Sequence, residues 1–424
     1  MIRFCWPQMN LKLNEAIDYG PFLRTLTVPY VEVPKKDTVK WREKLGALVL
    51  HEKGIPPIDN KAKFTNKIYL REELTQEEGL TAVPDLPPLQ FETVKAGLEG
   101  TDFKEILARM LPPDVVVPSS FESLGHVAFL NLRKNQLDYQ YTIGKVILDT
   151  HHAFRTIVNK SEKLNNVFRT PILELIAGEK TLETEVKEEK TLFLLDVEKV
   201  YFCSRLHSER SRVIAQLRPK QVIADVFCGI GPFSIRAANE AGCISYANDL
   251  NPECFRYLKT NITKNKVGGR VFPFCMDGRD FLRHIFGLVA SGQLEKVDHF
   301  YMNLPAIGVD FLDVFNVGEF RKWGFPFLVH GYCFEELSED EDETVEKVKV
   351  RLRGILVGCM DAVEFQHFHL VKNVSKGKAM LCATLRFDPT HGHQTDGLGV
   401  PRAEGSSGEG EPKGAEPPAK RIKP

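Results

Sequence analysis

Along residues 222–252 the order of apolar and polar positions spells one complete strand–turn–helix–strand unit. Residues 222–227 form an apolar, β-branched run of the kind that is buried on both faces of a parallel sheet. CGIG then turns the chain sharply into a helix that begins near Pro232. Gly229 and Gly231 let the backbone come close to a ligand, and the helix start offers unpaired N–H groups beside them. A second short strand, 244–248, delivers Asp249 and Leu250 at its carboxyl end. Asp249 falls about twenty residues on, where a doubly wound fold carries its ribose-binding acid. It could instead be only the N-cap of the helix from Pro252.

The same alternation continues beyond Asp249. A helix over 253–266, a strand over 270–275, the segment MDGRD, a helix over 281–290 and a strand over 299–302 ending in NLPA predict a doubly wound α/β domain. Strands over 364–374 and 379–386 close it, and the acidic run before them reads as a solvated helix start or loop. Ahead of this domain the pattern is less regular. Residues 21–90 combine the strand TLTVPYVEV with a basic amphipathic helix over 35–54 closed by Gly54, which predicts a small module. PDLPPLQ, residues 84–90, reads as a linker, because closely spaced prolines continue neither helix nor central strand. Residues 91–114 then predict two short helices ending at the paired prolines, 126–132 a strand, 141–150 a helix, and 167–201 an antiparallel meander. The expected division is 1–90, an α+β insert over 91–200, the α/β domain over 201–388, and a disordered tail over 389–424 rich in Gly, Pro, Ser and Glu.

Composition narrows the class. A chain of 424 residues is long for one core. Hydrophobic residues at 43% and charged residues at 27% describe an ordinary soluble protein. No apolar run reaches the roughly 18 residues that a membrane span needs. The nine cysteines contain no CxxC pair, which argues against a zinc site and a disulfide framework and for reduced thiols. With a net charge of −1, contact with nucleic acid must come from a local basic face. The lysines of the 35–54 helix offer one, although they read first as a solvated helix face. The amino terminus leaves a mitochondrial signal open, and the terminal AKRIKP suits nuclear import. Cytoplasm and nucleus are the expected compartments, with the mitochondrial matrix also open.

Three details concern the cofactor. Asp225 stands inside the first strand, where packing alone would place another apolar residue and where methyltransferases carry an acid. Ser234 replaces the third glycine of the dinucleotide fingerprint, which favours S-adenosyl-L-methionine over NAD. Asp277, after the third strand, is placed to accept from an adenine amino group, with Gly278 letting the base lie flat on the backbone. An Asp-Gly turn is the alternative there. Asn303, in the segment stiffened by Pro305, can grip the amide-like edge of a planar base, although NLPA could also be a plain turn.

With DVFCGIGPF, ANDLNP, MDGRD and NLPA in the α/β domain, and GHVAFLNLR, FRTPILELIAGE and VYFCSRLHSER ahead of it, residues 20–388 resemble the eukaryotic and archaeal tRNA (guanine-37-N1)-methyltransferase family. The resemblance implies a class I (Rossmann-like) methyltransferase domain preceded by two tRNA-contacting domains. It also implies a monomeric enzyme that uses S-adenosyl-L-methionine and grips the anticodon stem-loop and body of tRNA. N1 of guanosine carries a proton near neutral pH, so its methylation needs a base for that proton and a donor for charge developing on O6. By resemblance, Glu209 is the base and Arg169 the donor to O6. Tyr201 and Arg205 position base and phosphate, and Arg210 meets the charged end of the cofactor. Ser204 stands where the family has proline, which puts the loop around Arg205 and Glu209 in question. Without the resemblance, Arg205, Glu209 and Arg210 read as ordinary charges opening a surface helix. Aminocarboxypropyl transfer in wybutosine synthesis, and a catalytically silent RNA-binding protein, are the alternatives.

Overall fold

The computed structural model describes residues 11–52, 54–98, 101–160, 171–375 and 377–390. These fall into two compact units, one holding the described residues up to 160 together with 171–184, the other those from 185 onward.

The first unit contains two four-stranded sheets. In one, the strands run in the order Ile58–Asp59, Thr65–Tyr69, Thr25–Pro34 and Gln90–Lys95. Residues 90–95 are therefore not helical as expected. They pair residue by residue with Thr25–Pro34, whose backbone satisfies their hydrogen bonds, and Glu92 and Val94 are their half-buried positions. The chain beyond the prolines thus returns to this first sheet. The basic helix is also shorter than expected, Thr38–Leu45. Gly46, with φ +48°, ends it, and Val49 then bridges to Leu70 so that Leu45, Val49 and Leu70 share one core. In the second sheet Val127–Leu130 lies parallel to Thr156–Lys160, with the helix Gln140–Thr150 between them in sequence. The strand Thr156–Lys160 was not expected. The predicted meander is in fact split. Leu173–Gly178 pairs with Thr156–Lys160 in this sheet, whereas Glu183–Glu188 and Thr191–Asp196 form a separate two-stranded ribbon.

The second unit is built on a seven-stranded sheet whose strands, β1 to β7 in chain order, are Val222–Asp225, Ile244–Asn248, Val271–Phe274, His299–Met302, Phe327–Glu336, Val363–Ser375 and Lys378–Phe387. Their spatial order is β3-β2-β1-β4-β5-β7-β6, with β7 antiparallel to both its neighbours and the rest parallel. β1 sends apolar side chains to both faces, with Asp225 the exception. Val222, Ala224 and Val226 face one core, which the helix Gly278–Ala290 and a dense set of rings including Phe300, Phe315 and Trp323 complete. Ile223 faces the other, against Val213 and Ile214 of the helix His207–Ile214. β5 was not foreseen. The acidic run opens the helix Glu341–Ile355, whose first turn is capped by the Asp340 side chain. No helix among the described residues is long and apolar enough to cross a membrane. The expected disordered tail lies outside the described residues from position 391 on.

Candidate active site

The strand order reverses between β1 and β4, the place where an open α/β sheet leaves a crevice at its carboxyl edge. Four of the expected site segments follow the four adjacent strands there. The glycine turn follows β1, Asp249 follows β2, Asp277 follows β3 and Asn303 follows β4.

The turn has the backbone that its glycines permit, with φ +58° at Gly229 and +91° at Gly231. The two glycines serve different ends. A Cβ on Gly231 would lie 2.6 Å from Leu258 Cδ1 and 2.9 Å from Ile235 Cδ1, so its smallness belongs to packing. A Cβ on Gly229 would meet nothing nearer than the Tyr201 carbonyl oxygen at 4.0 Å. The backbone at Gly229 is thus uncovered, a cradle that any other side chain would begin to fill.

Asp249 is half-buried and organises that cradle. Its Oδ2 accepts from the Gly229 backbone N–H at 2.8 Å and its Oδ1 from that of Asn251 at 2.9 Å. The helix Pro252–Lys264 is capped by Asn251, whose Oδ1 accepts from Glu253 N, so the alternative of Asp249 as its N-cap fails. Burial holds the Asp249 carboxyl above the usual carboxylate range. Leu250 beside it is exposed.

Asp225 is wholly enclosed, beneath the turn and not on its open side. Its Oδ2 accepts from the Ser234 hydroxyl at 2.7 Å, and Ser234 in turn accepts from Ser245 at 2.8 Å. Its Oδ1 has no hydrogen-bond partner among the described residues. Burial raises this carboxyl to about 7, with the Asp249 charge adding to the rise and the Ser234 bond opposing it.

Asp277 caps the helix Gly278–Ala290 by accepting from Arg279 N at 2.8 Å, so this helix starts three residues before the expected position. Gly278 is buried, and a Cβ on it would lie 2.9 Å from the rings of Phe227 and Phe311. Packing alone therefore accounts for this glycine. Asn303 Nδ2 donates to the Tyr301 hydroxyl at 3.2 Å, and the Pro305 carbonyl accepts from Phe334 N at 2.9 Å. NLPA is thus pinned to β4 and β5.

The SRLHSER segment is less superficial than its charges suggest. Glu209 is only 3% exposed. Its carboxylate accepts a forked pair from Arg212, Nε and Nη2 both at 2.7 Å, and a third bond from the Tyr332 hydroxyl at 2.7 Å. His369 Nε2 lies 3.5 Å away. Arg210 is equally buried, ion-paired with Glu188 and donating to the Cys203 carbonyl at 3.1 Å. Arg236 sits on the other side of Glu188 and donates to Ser211 at 2.8 Å. Arg210 therefore braces the ribbon that carries Glu188. Tyr201 and Arg205 lie on the exposed side of the same segment. Ser204 opens a turn of 3-10 helix, Ser204–Leu206, that leads into the helix of Glu209. Arg169 lies outside the described residues.

Sequence reasoning missed Asn248. Its Nδ2 donates to the Val226 and Met276 carbonyls at 3.1 and 3.0 Å, and its Oδ1 accepts from Met276 N at 3.0 Å. One amide thereby staples the ends of three strands. Its place at the end of an apolar strand, like that of Asp225, was the available signal. Tyr332 gave none, because its contact with Glu209 joins residues 123 positions apart, and Arg212, three residues from Glu209, was passed over in favour of Arg205 and Arg210.

A sheet in this order, with acids and a glycine turn on the carboxyl edge where the order reverses, defines a Rossmann-like methyltransferase domain. Residues 184–351 match the TRM5/TYW2 methyltransferase domain and residues 103–181 the TYW2 N-terminal domain. A tRNA (guanine(37)-N(1))-methyltransferase of Paramecium tetraurelia is 39% identical over 312 residues, covering 72% of this chain and 73% of the relative. The Homo sapiens protein of the same name is 32% identical over 405 residues, 90% of this chain and 77% of the relative. Among solved structures, Trm5b from Pyrococcus abyssi superposes with a TM-score of 0.54 at 25% identity, covering 85% of this chain and 99% of that one. The chain belongs to the tRNA (guanine(37)-N(1))-methyltransferase family.

Proposed function

We propose that this chain transfers a methyl group from S-adenosyl-L-methionine to N1 of guanosine at position 37 of tRNA, the activity for which its relatives are named. One observation carries the reading. Four groups suited to a nucleoside cofactor and a planar base follow four adjacent strands, beside a glycine backbone left uncovered. The cofactor supplies a methyl group on a positively charged sulfur. Asp249, anchored by the Gly229 and Asn251 N–H groups, takes the ribose hydroxyls, and the open backbone at Gly229 allows the cofactor a close approach. Asp277 keeps lone pairs free for an adenine amino group while it caps its helix. Asp225 serves from below, by fixing the turn through Ser234.

For the target base, the Asn303 amide and the backbone held by Pro305 take a planar edge, while Tyr201 and Arg205, on the exposed side of their segment, position base and phosphate. Glu209 accepts the N1 proton, and Arg169 donates to O6 as negative charge gathers there. The regions 1–90 and 91–200 are the parts that grip the rest of the tRNA, at the anticodon stem-loop and body. The base is turned out of its stack to reach the crevice.

The test is transfer of labelled methyl from S-adenosyl-L-methionine to an unmodified tRNA transcript, with nucleosides resolved by mass spectrometry. The expected product is 1-methylguanosine at position 37, lost when G37 is changed to A37. Methylation at another nucleotide, or an aminocarboxypropyl adduct in its place, would overturn the reading.

A further inference from the structure

We propose that Arg212 and Tyr332 are positioning residues for the methyl transfer, holding the Glu209 carboxylate aimed from two sides. This rests on the reading of Glu209 as the base for the N1 proton.

An Arg three residues from a Glu on a helix is commonly a surface pair that contributes little. This one is different in kind. The Glu209 side chain is 2% exposed, and the guanidinium meets it fork to fork, the strongest geometry available to such a pair. Every element packed against the carboxylate contributes a group. The helix His207–Ile214 supplies Arg212, β5 supplies the Tyr332 hydroxyl, β6 supplies His369 and β7 supplies the Cys382 thiol. Two of these do not offer charge. Burial first, then the Arg212 cation, holds His369 below the usual histidine range, and burial pushes Cys382 up to about 12. The Tyr332 phenol is raised well above its ordinary value by burial and stays neutral. Arg212 is therefore the one cation that balances Glu209 among these groups. Removing Arg212 would leave a buried carboxylate without its ionic partner.

Tyr332 adds a connection that Arg212 lacks. Its ring meets Tyr301 edge to face at 5.3 Å, and the Tyr301 hydroxyl receives the Asn303 amide at 3.2 Å. A line of contacts thus runs from Glu209 on its helix, through the rings on β5 and β4, to Asn303 at the end of β4. The carboxylate and the amide meet the base from elements far apart in the chain. The phenols keep them in register.

Single-turnover methyl transfer with saturating cofactor and tRNA tests both roles. In Arg212→Met the plateau rate is expected to fall about tenfold or more with cofactor affinity unchanged, because the fork that aims the carboxylate is gone. Arg212→Lys keeps the charge and recovers part of that rate. In Tyr332→Phe the ring packing survives, and the plateau rate falls about tenfold or more with cofactor affinity unchanged, the loss expected when a bond that orients a base is removed. A wild-type plateau in Arg212→Met or in Tyr332→Phe overturns the corresponding assignment. Glu209→Gln, run in parallel, isolates the underlying reading. A wild-type rate there removes Glu209 as the base, whereas a slow Glu209→Gln beside unchanged Arg212 and Tyr332 variants leaves the base in place and sinks only the positioning roles. If Arg212→Met does not fold, Arg212→Lys and Tyr332→Phe decide the matter.

Discussion

Replacing Asp225 by asparagine removes a charge and keeps the shape, and the structure says how stability should respond to pH. The side chain is fully buried and its Oδ1 has no hydrogen-bond partner among the described residues, so water cannot screen the ionised form. Its carboxyl is raised from 3.8 to about 7, chiefly by burial. In the unfolded chain the group ionises near its ordinary value, whereas in the folded protein it holds its proton up to about 7. Between those two values the folded state binds more protons than the unfolded state, so stability falls as pH rises through this window. At about 1.4 kcal/mol per pKa unit the full effect is on the order of 4 kcal/mol, present below the lower value and lost above the upper one. Asparagine mimics the protonated form and keeps an acceptor for Ser234, so Asp225→Asn should match the wild type near pH 4 and exceed it increasingly toward pH 7.5. Urea unfolding of both proteins across this range, read as the difference between them, cancels the other titrating groups to first order. A difference that stays flat with pH would refute the reasoning, and one that grows toward acid pH would reverse it.

Asp249→Ala removes the acceptor for two backbone N–H groups along with the ribose acid, and should weaken S-adenosyl-L-methionine binding by about 1.5–3 kcal/mol, the range for a lost hydrogen bond to a charged group. Calorimetric titration checks this, and comparable binding of NAD by the wild type would contradict the cofactor assignment. Gly231→Ala places a Cβ 2.6 Å from Leu258 Cδ1 at φ +91°, so overpacking and backbone strain together should destabilise the α/β unit by roughly 2–5 kcal/mol. Gly229→Ala meets no such wall, so beyond the backbone strain of φ +58° its effect should appear in cofactor affinity.

The α/β half of the chain was legible because local pattern and tertiary outcome agree there. An apolar run, a glycine turn and an acid at the next strand end depend on contacts within about 30 residues, so the βαβ unit and the strand-end places of Asp249 and Asp277 follow from the amino-acid order, whereas Asn303 comes beside them through a pairing of β4 with β1 across 76 residues. Other elements depended on partners that no local window contains. Residues 90–95 are a strand because Thr25–Pro34 waits with unpaired backbone groups, and β5 carries a histidine, a glycine and a tyrosine yet lies between two strands that bury it. The site divides in the same way. Sequence order alone put Glu209 and its neighbouring arginines on one helix start, but could not say which arginine would hold it. Arg210 turns to Glu188 on the ribbon, Arg212 turns to Glu209, and a tyrosine 123 residues away completes the carboxylate's shell. Burial settles such choices. A charge that is left without a partner in the interior is far more costly than one on the surface, and only the packed structure decides which charges the interior contains.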